Sequence, residues 1–291
     1  MKDFSHWKEY EGASEGSGRS EKLWLINPDT NQTGLFKYKK DVETTDHVSE
    51  CIASDIAGLI GIPCAKFEIG MFRGREGSIS YNIVEREGIT LIEGIYCISL
   101  MYDNYDAERL MDIKTGEKYS LEMIKKALNE FKLFEDFLSI LVFDYLIGNT
   151  DRHQSNWAFC LEDKNITLSP LYDNSSSLCA YVSEAKIDQY LGKDQVLWRS
   201  LVDTKSKSLI RITVSDQKLP THVEVLRFIK KNYYKQTKSI VNNIGKFVTE
   251  ANICDILNKY GEVLSEKRKT LIKKFLLSKI HTMDNIYTGK E

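Results

Sequence analysis

The sequence predicts an α+β protein in two lobes, a strand-rich one over residues 1–87 and a helical one over residues 88–291. Short apolar runs bounded by turn residues recur through the first hundred positions. From residue 121 onward, apolar residues recur at helical spacing. The chain has 291 residues and is 42% hydrophobic, enough for one large core or two smaller ones.

The elements follow in order. Leu23-Trp24-Leu25-Ile26 and Leu35-Phe36-Lys37-Tyr38 flank a stretch dense in Asn, Asp, Thr and Gly, which predicts a β-hairpin. A flexible Gly/Ser loop over 11–20 precedes it. Val48, Ile52, Ile56 and Ile60 share one helical face, and Gly61 stops the run, so 46–61 is a helix. Strands over 64–71 and 78–84 follow, joined by a turn at 73–77. The pattern over 121–147 predicts a single helix, nearly all apolar at its end and therefore buried. A polar loop over 148–156 comes next, then a strand pair over 157–161 and 166–171. From 221 the chain is helical to near its end.

Composition excludes several classes. No run reaches the roughly 18 apolar residues that span a bilayer; the longest, Phe137 to Ile147, is interrupted by Ser139 and Asp144. The N-terminus lacks the apolar core of a secretory signal. The six cysteines have no CxxC spacing, which predicts reduced thiols and no zinc site. A net charge of −2 argues against a nucleic-acid coat. The charge is segregated, however, with 14 Lys/Arg against 7 Asp/Glu in residues 221–291. An amphipathic helix with a solvated basic face explains this, and a docking surface for an acidic partner is the sharper alternative.

One constellation carries chemistry. Asp151 and Asn156 lie five positions apart on one loop behind a buried helix, and Asp173 follows a short hairpin. Phosphoryl transfer needs a carboxylate near the incoming hydroxyl and oxygen ligands for Mg²⁺. An Asp, an Asn and a second Asp in this order meet both needs. Upstream, Lys37 sits mid-strand, with Lys39 and Lys40 as alternatives, and Glu50 on the following helix is its natural acidic partner, ahead of Glu43. His153 orients the loop or simply hydrogen-bonds backbone. Arg152 pairs with a phosphate or with a surface carboxylate.

These residues resemble the HipA-like Ser/Thr kinases, in layout most like the stand-alone CtkA-like members. Gly16-Ser17-Gly18-Arg19-Ser20 with Glu21-Lys22 looks like the phosphate-loop segment, Leu35-Phe36-Lys37 like the lysine strand, and Val84-Glu85-Arg86 like the hinge. The sharpest stretch runs from Leu146 to Trp157 and is followed by Leu171-Tyr172-Asp173-Asn174. The resemblance implies a two-lobed, protein-kinase-like fold and ATP- and Mg²⁺-dependent phosphorylation of Ser or Thr, autophosphorylation included. By position, Asp151 resembles the catalytic acid and Lys37 the ATP-contacting lysine. Asn156 and Asp173 resemble the metal ligands, with Glu50, His153 and the hinge lining the nucleotide site. Glu15 stands where family members can carry a regulatory serine, with Ser14 and Ser17 beside it. A lipid or small-molecule kinase would share these residues, and a degenerate binding module is the non-enzymatic alternative. The implied partners are a protein acceptor, an antitoxin or a host protein. The implied location is the cytoplasm, or a host cell if the chain is delivered as an effector.

Overall fold

The computed structural model describes residues 1–12, 21–40, 43–84 and 88–290. Among these, the first part of the chain forms a six-stranded sheet and one helix. The strands are β1 (Lys2–Asp3), β2 (Lys8–Glu9), β3 (Lys22–Ile26), β4 (Thr33–Tyr38), β5 (Phe67–Phe72) and β6 (Arg75–Tyr81). Their spatial order is β1-β5-β6-β4-β3-β2, with all pairs antiparallel except β1 on β5.

Strand β4 shows why the sheet has two different faces. Gly34, Phe36 and Tyr38 are buried on one side, while Thr33, Leu35 and Lys37 alternate to the other. On the first side, Phe36 packs edge-on against Phe4 and Tyr38, within an aromatic core that also holds Trp7, Phe72 and Tyr81. The second side faces α1 (Asp46–Ile60) and the cleft. Gly61, in the left-handed region at φ 77°, ends α1 where the sequence places the stop. The β5–β6 hairpin is tighter than the sequence suggests. Arg73 and Gly74, both at positive φ, make a two-residue turn, so β6 starts at Arg75 instead of 78. The first strand of that pair also begins later than 64, because Cys64 bridges Leu171 instead.

The second part of the chain is mostly helical. It contains β7 (Ile89–Glu93), α2 (Gly94–Met101), a small ladder of β8 (Tyr105–Asp106) with β9 (Met111–Asp112), α3 (Leu121–Asn129) and α4 (Phe134–Ile147). Then come β10 (Ala158–Glu162), β11 (Asn165–Leu168), α5 (Glu184–Leu191), α6 (Gln195–Arg199) running into a π-helical turn, α7 (His222–Phe247), α8 (Glu250–Lys259) and α9 (Glu266–Thr288). The 121–147 helix is therefore two helices. Lys132 takes a left-handed φ of 57° between them, and Phe131 turns aside to pack on the Phe159 ring. The apolar pattern runs through the break because α3 buries one face, and α4 nearly all of its length, in the same core. The β10–β11 hairpin has the expected place, but β7 joins it as a third strand. Helix α1 contributes Val48, Ile52, Ile56 and Ile60 to this larger core, which ties it to the helical part.

The basic C-terminal residues are engaged internally. Lys267 meets Asp188, Lys269 meets Glu266, Lys273 meets Glu250 at 2.9 Å, and Lys274 lies 4.0 Å over the Trp198 ring. Arg268 is buried, bonds Glu184 at 2.8 Å, and donates to the carbonyls of Cys179 and Val182. Lys267 and Arg268 thus hold the 179–188 segment against α9, while Lys273 ties α9 to α8 and Lys274 packs on α6. No described helix is long and apolar enough to cross a membrane. All six cysteines are free thiols.

Candidate active site

Lys37 reaches across from the sheet to Glu50, the partner that the sequence proposes, and also to Asp173. Its Nζ lies 2.8 Å from Glu50 Oε1 and 3.1 Å from Asp173 Oδ1. Burial alone would disfavour the ammonium, but the charges of Glu50 and Asp173 outweigh it and hold the lysine pKa well above its ordinary value. Asp173 shows the converse balance: burial would raise it, yet Lys37 and a hydrogen bond from Ser175 bring it down to about 2. Glu50 is 1% exposed, and that burial pushes it up to about 7 despite Lys37. The rival lysines are engaged elsewhere, Lys39 with Glu76 at 3.2 Å and Lys40 with Asp46 at 2.5 Å. Glu43 instead accepts the Glu184 amide at the start of α5.

The loop after α4 begins at Gly148, whose φ of 68° allows the chain to leave the helix sharply. Asp151 stands at the open cleft, its amide donating to Asn149 Oδ1 at 3.1 Å. Desolvation moves its pKa upward; His153 opposes this and the charge of Asp173 adds to it, a direction that favours proton acceptance. Asn156 Nδ2 donates to the Asp151 carbonyl at 2.8 Å, so its Oδ1 is the atom left for the cavity it lines. His153 Nδ1 accepts the Ser155 amide at 3.2 Å, within the loop. Asp173 has a left-handed backbone, φ 50°, a conformation that costs a non-glycine residue about 1 kcal/mol and recurs at functional positions.

Arg152 corrects both sequence readings, because its guanidinium is buried and fully engaged inside the protein. It is 1% exposed, and all five of its N–H donors are used. Nε and one terminal nitrogen grip Asp144 on α4, at 3.0 and 2.7 Å. The same terminal nitrogen reaches Asn174 Oδ1, and the other reaches the carbonyls of Asn156 and Tyr172. One guanidinium therefore joins α4, the Asp151 loop and both neighbours of Asp173. Sequence reasoning missed Asp144, Asn149 and Asn174 as supports. The signal was present in Asp144, a lone charge within an apolar helix, which at 3% exposure requires a partner.

Two cavities meet at Lys37 and Asp173. One, of about 220 Å³, is an apolar slot walled by Trp24, Leu35, Ile83, Val84 and Leu91, with Asn156 also in its lining. The other, of about 760 Å³, is the open polar cleft holding Asp151, His153, Glu50 and Lys40. The Val84 amide donates to Asn82 Oδ1 at 2.9 Å. Gly16, Ser17, Gly18, Arg19, Ser20, Glu85 and Arg86, with Ser14 and Glu15, lie outside the described residues. Among the described residues no three His, Cys, Asp or Glu side chains form a metal cage. The donors at the junction are one carboxylate, Asp173, and one amide oxygen, Asn156. That hard-oxygen pair fits Mg²⁺, which keeps waters and takes its remaining ligands from phosphates.

Solved structures of known proteins share the fold. A proinflammatory kinase of Helicobacter pylori, CtkA, superposes with a TM-score of 0.81 at 17% identity, covering 99% of this chain and 97% of that one. HipA of Shewanella oneidensis MR-1, solved in its toxin–antitoxin complex with HipB and operator DNA, gives 0.56 at 12% identity. It covers 97% of this chain and 66% of the HipA chain. At such identities the likeness is one of fold: α+β, a strand-rich sheet with a helical part, as in these kinase-like proteins. No curated protein matches the sequence. The model of the HipA-like C-terminal domain matches residues 14–222. The chain belongs to the family of proteins with a HipA-like C-terminal domain.

Proposed function

We propose that the chain is an ATP- and Mg²⁺-dependent kinase that phosphorylates Ser or Thr in proteins, itself included. The observation that carries this reading is the position of Lys37 Nζ, held between Glu50 and Asp173 where the apolar slot opens into the cleft of Asp151. An adenine ring fits the chemistry of the slot, walled by Trp24, Leu35 and Leu91, and the phosphates would then lie at Lys37. Asp173 and Asn156 would hold Mg²⁺, which when bound neutralises phosphate charge. Asp151 orients the acceptor hydroxyl and takes its proton. Lys37, charged throughout the neutral range, offsets charge on the oxygens being transferred. Likeness to an antitoxin-bound HipA supports a protein antitoxin as one class of partner.

The test is transfer of label from γ-labelled ATP by the purified chain, resolved into protein, lipid and small-molecule fractions. Phosphoserine or phosphothreonine formed by the wild type and lost in Asp151→Asn is the expected result. Label confined to lipid or metabolite would replace the protein acceptor. No label in any fraction, with no Mg²⁺–ATP-dependent thermal shift, would leave a binding module.

A further inference from the structure

Lys279, on α9, is far in sequence from every motif above, yet its side chain is fully buried. A buried ammonium is costly unless something in the fold uses it. Its Nζ faces the rings of Tyr145 and Phe275 at 4.7 and 5.3 Å and donates one hydrogen bond, to Ser206 Oγ at 2.9 Å. Asp203 adds its charge nearby, without direct contact. Packing alone would be served as well by a methionine.

The bond to Ser206 is the first in a chain. Ser206 Oγ lies 2.9 Å from His222 Nδ1, and His222 Nε2 lies 2.8 Å from the Asn149 carbonyl oxygen. Hydrogen-bond chemistry gives the chain one direction. A carbonyl only accepts, so Nε2 carries the proton. Burial keeps His222 neutral, with its pKa lowered to about 3, so Nδ1 is an acceptor and Ser206 donates to it. The Ser206 lone pairs then face Lys279, whose Nζ donates to them. Lys279, Ser206, His222 and Asn149 form one polarised row.

Asn149 is where this row meets the site. Its amide donates to the Asp144 carbonyl at 3.0 Å and its Nδ2 to Asp144 Oδ1 at 3.1 Å. Its Oδ1 receives the Asp151 amide. Among the described residues, the carbonyl bond from His222 is the hydrogen bond to Asn149 that comes from outside α4 and its loop. We propose that Lys279, acting through Ser206 and His222, is a positioning residue that holds Asn149 and thereby Asp151 in place. The catalytic consequence rests on the kinase reading above.

The experiment compares the full chain with Lys279→Met, His222→Leu and His222→Gln. It measures thermal stability, KM for ATP, kcat, and hydrogen exchange of the Asp151 amide. Lys279→Met is expected to melt no lower than wild type, since it removes a buried cation. Its KM should stay within about twofold while kcat falls about tenfold, equal to about 1.4 kcal/mol of barrier. The Asp151 amide should exchange faster by a similar factor. His222→Gln, which keeps an N–H donor for Asn149, should recover rate relative to His222→Leu. Unchanged exchange at Asp151 in Lys279→Met would overturn the proposal, and so would faster exchange with unchanged kcat. A wild-type protein without transferase activity would sink the kinase reading alone, because amide exchange decides the positioning independently.

Discussion

Arg152 follows Asp151 directly in the chain but turns the opposite way, meeting Asp144 of α4 at two points inside the molecule. Removing the cation strands a buried carboxylate. Arg152→Met should destabilise the fold by about 3–5 kcal/mol, read from urea unfolding. Arg152→Lys should restore only part, because an ammonium offers three donors where five acceptors wait. A near-neutral Arg152→Met would mean that Asp144 takes a proton or finds water.

At the site itself, Asp151→Asn should leave folding and nucleotide affinity intact while phosphate transfer falls by about 10²-fold or more. Asp173→Asn should weaken Mg²⁺–ATP binding as well as rate, because it removes the carboxylate that fits the metal. Titration of nucleotide with and without Mg²⁺ separates the two. Metal-dependent affinity retained in Asp173→Asn would take that residue out of the metal site.

Lys37→Met tests the buried acid beside it. Glu50 already has its pKa raised to about 7 by burial, against the opposing charge of Lys37. Without that charge it rises further, so the folded state holds a proton that the unfolded state releases near pH 4.5. Stability then falls as pH rises through the interval between the two values. The melting temperature of Lys37→Met should drop between about pH 5 and about pH 8 more steeply than that of wild type. Parallel profiles would show that Glu50 does not titrate in this window.

His222 gives the opposite limb. Its folded pKa of about 3 lies below the ordinary 6.5, so its contribution is complete above pH 6.5 and is lost as pH falls towards 3. His222→Gln, which cannot titrate, should flatten the acid side of the stability profile measured by urea unfolding across that range. A profile as steep as that of wild type would assign acid sensitivity to other groups.

Gly148 tests the exit from α4. A Cβ there would lie 2.7 Å from Phe275 of α9, at a φ of 68° that side chains rarely adopt. Gly148→Ala should therefore cost about 1–3 kcal/mol and lower kcat by displacing the Asp151 loop. Phe275→Leu in the same chain should recover stability if the clash dominates, and leave it unchanged if the backbone dominates.

Much of this was legible before any coordinates. Helical spacing placed α1 and its stop at Gly61. Flanking turn residues marked β4 as a strand, and the order Lys37, Glu50, Asp151, Asn156, Asp173 pointed to one site. These are local properties, written in neighbours a few residues apart. The β7 strand was not legible, because its place depends on pairing with β10, some seventy residues later. The helix break at Lys132 was masked because both helices bury apolar residues in one core.

The sequence by itself named the candidate site residues and the elements that carry them. Only the tertiary structure paired Lys37 with Glu50 and Asp173 and engaged Lys39 and Lys40 elsewhere, turned Arg152 inward to Asp144, and joined Lys279 to Ser206. The physical reason is that hydrogen bonds and buried charges are satisfied in space. Their partners lie 8 residues away for Arg152 and 136 for Lys37, distances at which periodicity carries no information.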